Sequence, residues 1–191
     1  MACPLPPAPG PCLVMLMVDQ QPFDRDGSTG TGEGVGIMDA AAVIRLIDTA
    51  NHRRRRDLVA RDDDAATDAE SKLDQTYRHS ERLAVYGSLA PGRSNHHVLA
   101  PFGGTWTRGR VRGDLVELGW GAAAGYPALR LRVDGPWVLV HVLESTRLPG
   151  AWTGIDAFEG SEYRRVLVPV YAEGEDAVRI ITVANLYEIA F

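Results

Sequence analysis

Residues 85–92 have the sequence VYGSLAPG, in which the apolar end of a strand runs directly into a loop that contains glycine. Glycine at position 87 lets the backbone turn, or lets a ligand approach the backbone closely. Consecutive backbone N–H groups in such a loop can form a cup for a carboxylate. The alternative is an ordinary exit from a strand, with Pro91 and Gly92 as the turn. The pattern alone supports the two interpretations about equally.

Short apolar strands separated by turn residues dominate the chain after Arg82. The clearest is 163–171, where Val166, Val168 and Val170 alternate onto one face. Many closely spaced strands with little helix predict a small mixed β-barrel or curved sheet with short helices. The predicted elements are strands or strand pairs at 83–86, 105–118, 126–133, 137–143, 163–171 and 177–189, with a short helix between 148 and 160.

Residues 39–78 carry apolar side chains at helical spacing and predict two helices. Asp39 is placed to cap the first helix. We expect the two helices to form a hairpin that lies on the strand-rich domain. The apolar faces comprise Val43, Ile47 and Ala50 in the first helix, and Ala66, Ala69, Leu73 and Tyr77 in the second.

Four consecutive arginines, residues 53–56, continue the first helix. A basic run can bind nucleic acid or a membrane surface, or it can be a solvated helix surface. We favour the solvated surface, because the run is short, lacks interleaved aromatic residues and is closely followed by Asp57, Asp62, Asp63 and Asp64.

Residues 1–37 are rich in proline and then in glycine. Neither composition favours a packed core, so this segment is predicted to be disordered, or to be a mis-annotated extension if translation starts at Met38. The sequence therefore predicts an α+β chain in three parts: 1–37, a helical hairpin at 38–80 and the strand-rich domain at 81–191.

The composition of the chain excludes several classes of protein. A formal net charge of −5 does not indicate the excess of clustered positive charge that is typical of nucleic-acid-binding proteins. The two cysteines, Cys3 and Cys12, do not form the framework of a disulfide-rich secreted domain or of a cysteine-based zinc site. The apolar run 12–18 is too short to span a membrane and lacks the pattern of a secretory signal. We expect a soluble, cytoplasmic protein.

A second segment that contains a candidate catalytic residue is 155–160, with the sequence IDAFEG, followed by Tyr163 and Arg164. Glu159 lies between an aromatic residue and a glycine, just before a strand. Apolar surroundings disfavour the charged form of a carboxyl group and raise its pKa toward neutrality. A general base in neutral solution needs such a pKa. The alternative is a surface glutamate at a helix end, and the segment taken alone favours it.

Together the two segments closely resemble the gamma-glutamylcyclotransferase family, including the AIG2-like proteins. That family has a Tyr-Gly-Ser/Thr-Leu loop and, further along, an Asp-x-x-Glu-Gly segment followed by Tyr and Arg. The first 80 residues have no counterpart in the minimal family domain. The residues that carry the resemblance are Tyr86-Gly87-Ser88-Leu89, Pro91-Gly92, Asn95, Gly125-Tyr126-Pro127, Asp156, Glu159-Gly160, Tyr163 and Arg164.

The resemblance implies an activity and a set of site residues. The loop Tyr86, Gly87, Ser88 and Leu89 binds the glutamyl part of a small gamma-glutamyl substrate. Glu159 takes a proton from the substrate's α-amine, which attacks its own γ-carbonyl and releases 5-oxoproline and a free amine. The resemblance implies no metal and no organic cofactor, and the composition indicates neither a nucleic-acid nor a membrane partner.

Other interpretations of these residues stay open at this point. A non-catalytic module that binds a small ligand on the same fold is the alternative function. Asp156 is interpreted as a helix-end or supporting carboxylate, and Tyr163 and Tyr187 as pocket-lining or core residues. The sequence indicates neither the amine that is released nor an oligomeric state.

Overall fold

The protein is described by a computed structural model for residues 38–56, 63–119, 121–122, 125–174 and 178–190. Within these ranges three α-helices and six β-strands form. The helices are α1 Ala40–Arg56, α2 Asp64–Tyr77 and α3 Trp152–Glu159. The strands are β1 Arg82–Val85, β2 Thr105–Val116, β3 Ala128–Leu131, β4 Trp137–Glu144, β5 Tyr163–Tyr171 and β6 Ile180–Ile189.

Five of the strands close into a barrel. The sheet order is β3-β2-β4-β1-β6-β5, and an additional pairing of β2 with β5 closes it, so that β3 is an extra strand beside β2. The pairing of β1 with β6 is parallel and the others are antiparallel, which makes the barrel mixed. The predicted fold class, a small mixed barrel preceded by a helical hairpin, is confirmed.

The barrel closes where β2 crosses β5, at the pair Arg110 and Tyr171. A Cβ atom on Gly109 would lie 2.4 Å from the side chain of Val170 and 3.0 Å from the Tyr171 carbonyl oxygen. Only glycine leaves room for this approach, because any other side chain would force the two strands apart.

Alternating valines fill the barrel interior. On β4, Val138, Val140 and Val142 face inward, while His141 and Leu139 face outward. On β5, Val166, Val168 and Val170 face the same core and confirm the predicted period of two. Burying each such side chain stabilises the fold by about 1.5–3 kcal/mol.

The helical hairpin packs on the outside of β5 and β6. Val43 and Ile47 of α1 and Leu73 of α2 are buried against Leu167 and Val183 of the barrel. Asp39 accepts a hydrogen bond from the Ala42 N–H at 2.7 Å and caps α1 as predicted. The division of the chain into three parts stays a prediction, and its first part, 1–37, lies outside the described residues.

The interpretation of the arginine run as a solvated surface is wrong for Arg54. Its guanidinium forms hydrogen bonds with both carboxylate oxygens of Glu70, at 3.0 and 3.2 Å, and its side chain is 15% exposed. Arg55 forms a second two-pronged ion pair, with Glu188 of β6 at 2.7 and 3.2 Å. The run therefore attaches α1 to α2 and to the barrel.

No helix in the part of the chain that the structure describes is both long enough and apolar enough to cross a membrane.

Candidate active site

The loop that follows β1 and the end of α3 line one cleft. Tyr86, Gly87, Ser88 and Leu89 line it from the loop, and Glu159 lines it from the helix. The structure thus brings together all five residues that the sequence analysis assigned to the site. The cleft has a free volume of about 50 Å³, room for about four water-sized groups.

Glu159 is the last residue of α3, and the local sequence explains why the helix ends there. Gly160 has φ +77°, in the left-handed region that favours glycine, and its N–H donates to the Asp156 carbonyl at 3.0 Å. Ile155, buried under the first turns of the helix, packs α3 against the barrel. Glu159 is consequently held at the cleft by a rigid turn.

The environment of Glu159 is apolar enough to change its ionisation. The side chain is partly buried, and burial raises the pKa of Glu159 to about 7. Of the described residues that line the cleft, none carries a positive charge. A carboxyl group in this setting exchanges its proton near neutral pH.

Four tyrosines line the cleft with this carboxyl group, and the pKa values of three of them are shifted. Burial, and then the charge of Glu159, raise the pKa of both Tyr86 and Tyr163 above the ordinary tyrosine value. Burial, followed by a hydrogen bond to Asp156, raises the pKa of Tyr187 as well. All three therefore stay neutral, and Glu159 is the group in the cleft that titrates near neutrality.

Asn95 holds the loop in shape from its far side. Its N–H donates to the Ser88 carbonyl at 2.9 Å, and its Nδ2 donates to Ser88 Oγ at 3.0 Å. The Ala90 N–H closes a turn on the Gly87 carbonyl at 3.2 Å. These contacts give Asn95, one of the residues that carry the family resemblance, a structural role in the loop.

Backbone donors of the loop remain available to a ligand. No described residue accepts a hydrogen bond from the N–H of Gly87, Ser88 or Leu89. A Cβ atom placed on Gly87 would meet no protein atom within 4 Å. The backbone at Gly87 is therefore accessible from the cleft, as an anion cup requires.

The side chain of Tyr86 has a structural role that the sequence did not indicate. Its hydroxyl donates to the Tyr187 carbonyl at 3.0 Å and accepts from the Leu129 N–H at 3.1 Å. The hydroxyl thereby joins β6 to β3 across the barrel, and Tyr86 contributes its ring and backbone to the cleft.

Asp156 lies one turn before Glu159 on α3 and does not line the cleft. Both of its carboxylate oxygens accept from the guanidinium of Arg165, at 2.8 and 3.1 Å, and one also accepts from the Tyr187 hydroxyl at 2.5 Å. These contacts agree with the interpretation of Asp156 as a supporting carboxylate, because they tie α3 to β5 and β6.

Further cleft residues come from the segment between β2 and β3. Gly121, Tyr126 and Pro127 line the cleft together with the loop, and the Tyr126 hydroxyl lies 3.2 Å from Ser94 Oγ. The sequence signal for this wall was the Gly125-Tyr126-Pro127 segment of the family resemblance. Tyr163 and Tyr187 both line the cleft and pack in the core, so the two alternatives for them hold together.

The fold and this cleft agree with the comparison with known families. A sequence model described as gamma-glutamyl cyclotransferase, AIG2-like, matches residues 83–189. The chain belongs to this AIG2-like gamma-glutamyl cyclotransferase family, and it has the family's cyclotransferase-like fold. The resemblance found from the two motifs is confirmed.

Two solved structures are similar to part of the chain. A crystal structure of an AIG2-like protein from Mus musculus is 24% identical, covers 58% of this chain and 77% of that chain, and has a TM-score of 0.46. The structure of YkqA from Bacillus subtilis is 27% identical, covers 58% of this chain and has a TM-score of 0.43. The matching segment spans only 36% of the YkqA chain. No curated protein matches the sequence.

Proposed function

We propose that the protein is an enzyme that releases 5-oxoproline and a free amine from a small gamma-glutamyl amine or peptide. The observation that carries the proposal is the position of Glu159, a carboxyl group with a pKa of about 7, in the same cleft as the donor-bearing loop 86–89. Membership of the AIG2-like family supports the same reaction class.

The reaction begins with the α-amine of the substrate. The carboxylate of Glu159 takes a proton from this amine, and the nitrogen lone pair attacks the γ-carbonyl carbon of the same molecule. The new C–N bond closes a five-membered ring, and the carbonyl electrons move onto oxygen. When the tetrahedral intermediate collapses, the original amide C–N bond breaks, and Glu159 returns its proton to the leaving nitrogen.

One carboxyl group can perform both proton transfers if its pKa lies near the working pH. With a pKa of about 7, Glu159 is present in both forms in neutral solution. A glutamate at its ordinary pKa would be a weaker base and would take the proton from the amine less readily. The burial of Glu159 therefore matches the two halves of the reaction.

The role proposed for the loop is to bind the glutamyl part of the substrate. The N–H groups of Gly87, Ser88 and Leu89 provide consecutive donors for the α-carboxylate of the glutamyl unit, and Gly87 lets this group approach the backbone. Because nucleophile and electrophile belong to one molecule, little entropy remains to be lost once the substrate is oriented in the cleft. Well-oriented intramolecular reactions reach effective molarities of about 10⁵–10⁸ M.

A screen of gamma-glutamyl compounds tests the proposal. The full chain is incubated with gamma-glutamyl amino acids, peptides and amines, and 5-oxoproline is measured by mass spectrometry. Enzyme-dependent release from at least one compound is the expected result. If the compounds bind without 5-oxoproline being released, the protein is the non-catalytic binding module instead. If they neither bind nor react, the proposed substrate class is wrong.

We also propose a cytoplasmic location, supported by a chain whose two cysteines both lie in its first twelve residues.

A further inference from the structure

Arg54 belongs to a part of the chain that precedes the family match at 83–189, yet it reaches the barrel. Two of its guanidinium nitrogens bind Glu70 of α2. The third, Nη1, donates to Oδ1 of Asn185 on β6 at 2.8 Å. The planar guanidinium can make these contacts at the same time because its donors form a fixed fork.

Asn185 is a buried junction between the helical hairpin and the barrel. Its side-chain oxygen also accepts from Arg165 at 3.4 Å, and its Nδ2 donates to the His79 carbonyl, just after α2, at 2.7 Å. A buried amide with contacts on both sides has its orientation determined by all its partners. Arg54 is therefore one of the groups that orient Asn185 and, through it, Arg165.

Arg165 continues the network to the start and to the middle of α3. It forms the two-pronged ion pair with Asp156, and its guanidinium stacks 4.5 Å from the ring centre of Trp152. The indole N–H of Trp152 donates in turn to the Ser80 carbonyl at 3.1 Å, so the segment after α2 also contacts the first residue of α3. Contacts made by the hairpin thus reach the helix that ends at Glu159.

We propose that Arg54 is a positioning residue for α3, so that the helical hairpin outside the family match forms part of the framework that places Glu159 in the cleft. The inference rests on the proposed role of Glu159. It adds a function for residues 40–77, for which the sequence predicted only packing against the strand-rich domain.

The sign of the expected change separates positioning from simple charge effects. Removal of a positive charge raises the pKa of a nearby carboxyl group. Loosening α3 would instead admit water to Glu159 and lower its pKa toward the ordinary value. Among the described residues, the ionisable side chains that line the cleft with Glu159 are Tyr126, from the segment before β3, Tyr86, from the exit of β1, Tyr163, from β5, and Tyr187, from β6. The pKa values of the last three are raised, so these three stay neutral in this range.

The test is a titration of Glu159 by carboxyl ¹³C NMR in the full chain, which does not depend on turnover. In Arg54→Gln we expect the pKa of Glu159 to fall by about 0.5 units or more. Arg55→Gln is the matched control, because Arg55 also attaches α1 to β6 but contacts Glu188 rather than Asn185. In this control we expect the pKa of Glu159 to stay unchanged or to rise.

A double-mutant cycle shows whether the effect travels through Asp156. Asp156→Asn removes the far end of the network, so Arg54→Gln should add no further change in that background. Should Arg54→Gln fail to fold, Arg54→Lys enters the same cycle, because lysine keeps a cation beside Glu70 but lacks the fork that reaches Asn185. If the protein turns over a gamma-glutamyl compound, kcat should also fall about 3- to 10-fold in Arg54→Gln with little change in KM.

An unchanged or raised pKa of Glu159 in Arg54→Gln would overturn the proposal. The same holds for an equal fall in Arg55→Gln, or for an equal effect of Arg54→Gln with and without Asp156. Absence of 5-oxoproline release by the unmodified protein would remove the proposed function instead, and the NMR result would still decide the positioning role.

Discussion

Asn51 on α1 forms two hydrogen bonds with the backbone of Leu167 on β5. Its Nδ2 donates to the Leu167 carbonyl at 2.7 Å, and its Oδ1 accepts from the Leu167 N–H at 2.8 Å. Leu167 lies opposite Asn185 on β6. Because the N–H and the carbonyl of Leu167 both bond Asn51, they face away from β6. One amide side chain therefore satisfies the two backbone groups with which a further strand would pair. This explains how a helix, in place of a strand, can cover the barrel there.

Replacing Asn51 by leucine should destabilise the protein substantially. The change keeps the branched shape of the side chain but leaves a buried N–H and a buried carbonyl without partners, so we expect a loss of about 2–4 kcal/mol in the free energy of unfolding. Urea denaturation measures it. His52→Ala, an exposed neighbour on the same helix, is the control and should change the free energy by less than about 0.5 kcal/mol. Equal losses in the two variants would show that the Asn51 contacts contribute nothing specific.

Glu159→Gln should lose turnover while the protein still folds. Glutamine keeps the shape and the hydrogen-bonding reach of the side chain but cannot accept the proton, and general acid–base catalysis supplies about 10²–10⁴-fold in rate. The rate of 5-oxoproline release measures the effect. Glu162→Gln, three residues beyond the end of α3, serves as the control and should be nearly silent. Comparable release by the unmodified protein and Glu159→Gln would exclude Glu159 from the mechanism.

The rate should depend on pH through the ionisation of Glu159. The base form is the carboxylate, so kcat/KM should increase as the pH rises and should reach half of its plateau near the pKa of about 7. A profile measured from about pH 5 to about pH 9 tests this expectation. A midpoint near the ordinary glutamate value would show that the cleft does not desolvate the base.

Stability should also depend on Glu159, in a direction that can be measured without a substrate. Its pKa in the folded protein is raised above the unfolded value of 4.5. The contribution of Glu159 to the free energy of unfolding is therefore fully present below pH 4.5 and is lost as the pH rises through about 7. Glutamine does not titrate, so the Tm of Glu159→Gln relative to the unmodified protein should increase between about pH 5 and about pH 8. A pH-independent difference in Tm would contradict this linkage.

Gly87→Val should weaken substrate binding without unfolding the protein. The added Cβ meets no protein atom within 4 Å, so the new side chain occupies the cleft rather than the core. KM should rise and the Tm should change little. Gly150→Ala provides a matched control, because its Cβ also meets no protein atom within 4 Å and Gly150 does not line the cleft. An unaltered KM in Gly87→Val would mean that the loop is not the binding site.

Local patterns in the sequence predicted most of the barrel strands. The alternation of Val166, Val168 and Val170 gave β5 with its observed bounds, because a strand buried on one face repeats every two residues. The strand predicted at 126–133 is shorter, Ala128–Leu131, since Tyr126 and Pro127 form a wall of the cleft instead. Proline also lacks the N–H that a strand pairing uses.

Those local patterns could not predict side-chain contacts between residues that are far apart in the sequence. Arg54 looked like a solvated residue because its surroundings depend on Glu70 and Asn185, and periodicity says nothing about contacts at such separations. The same holds for Tyr86, whose loop position was predicted but whose hydroxyl contacts to Tyr187 and Leu129 were not. The two motifs located the cleft because each is a short local segment, and the barrel brings them together.

The parallel pairing of β1 with β6 determines when this barrel can form during synthesis. Leu83 of β1 lies in register with Asn185 of β6, so β1 is translated about a hundred residues before this partner. At about 5–20 residues per second, that side of β1 stays open on the ribosome for about 5–20 s. Strand β4 protects only the opposite side in the meantime. We therefore expect the nascent chain to depend on a chaperone, or on its own hairpin, to cover this edge until translation reaches β6.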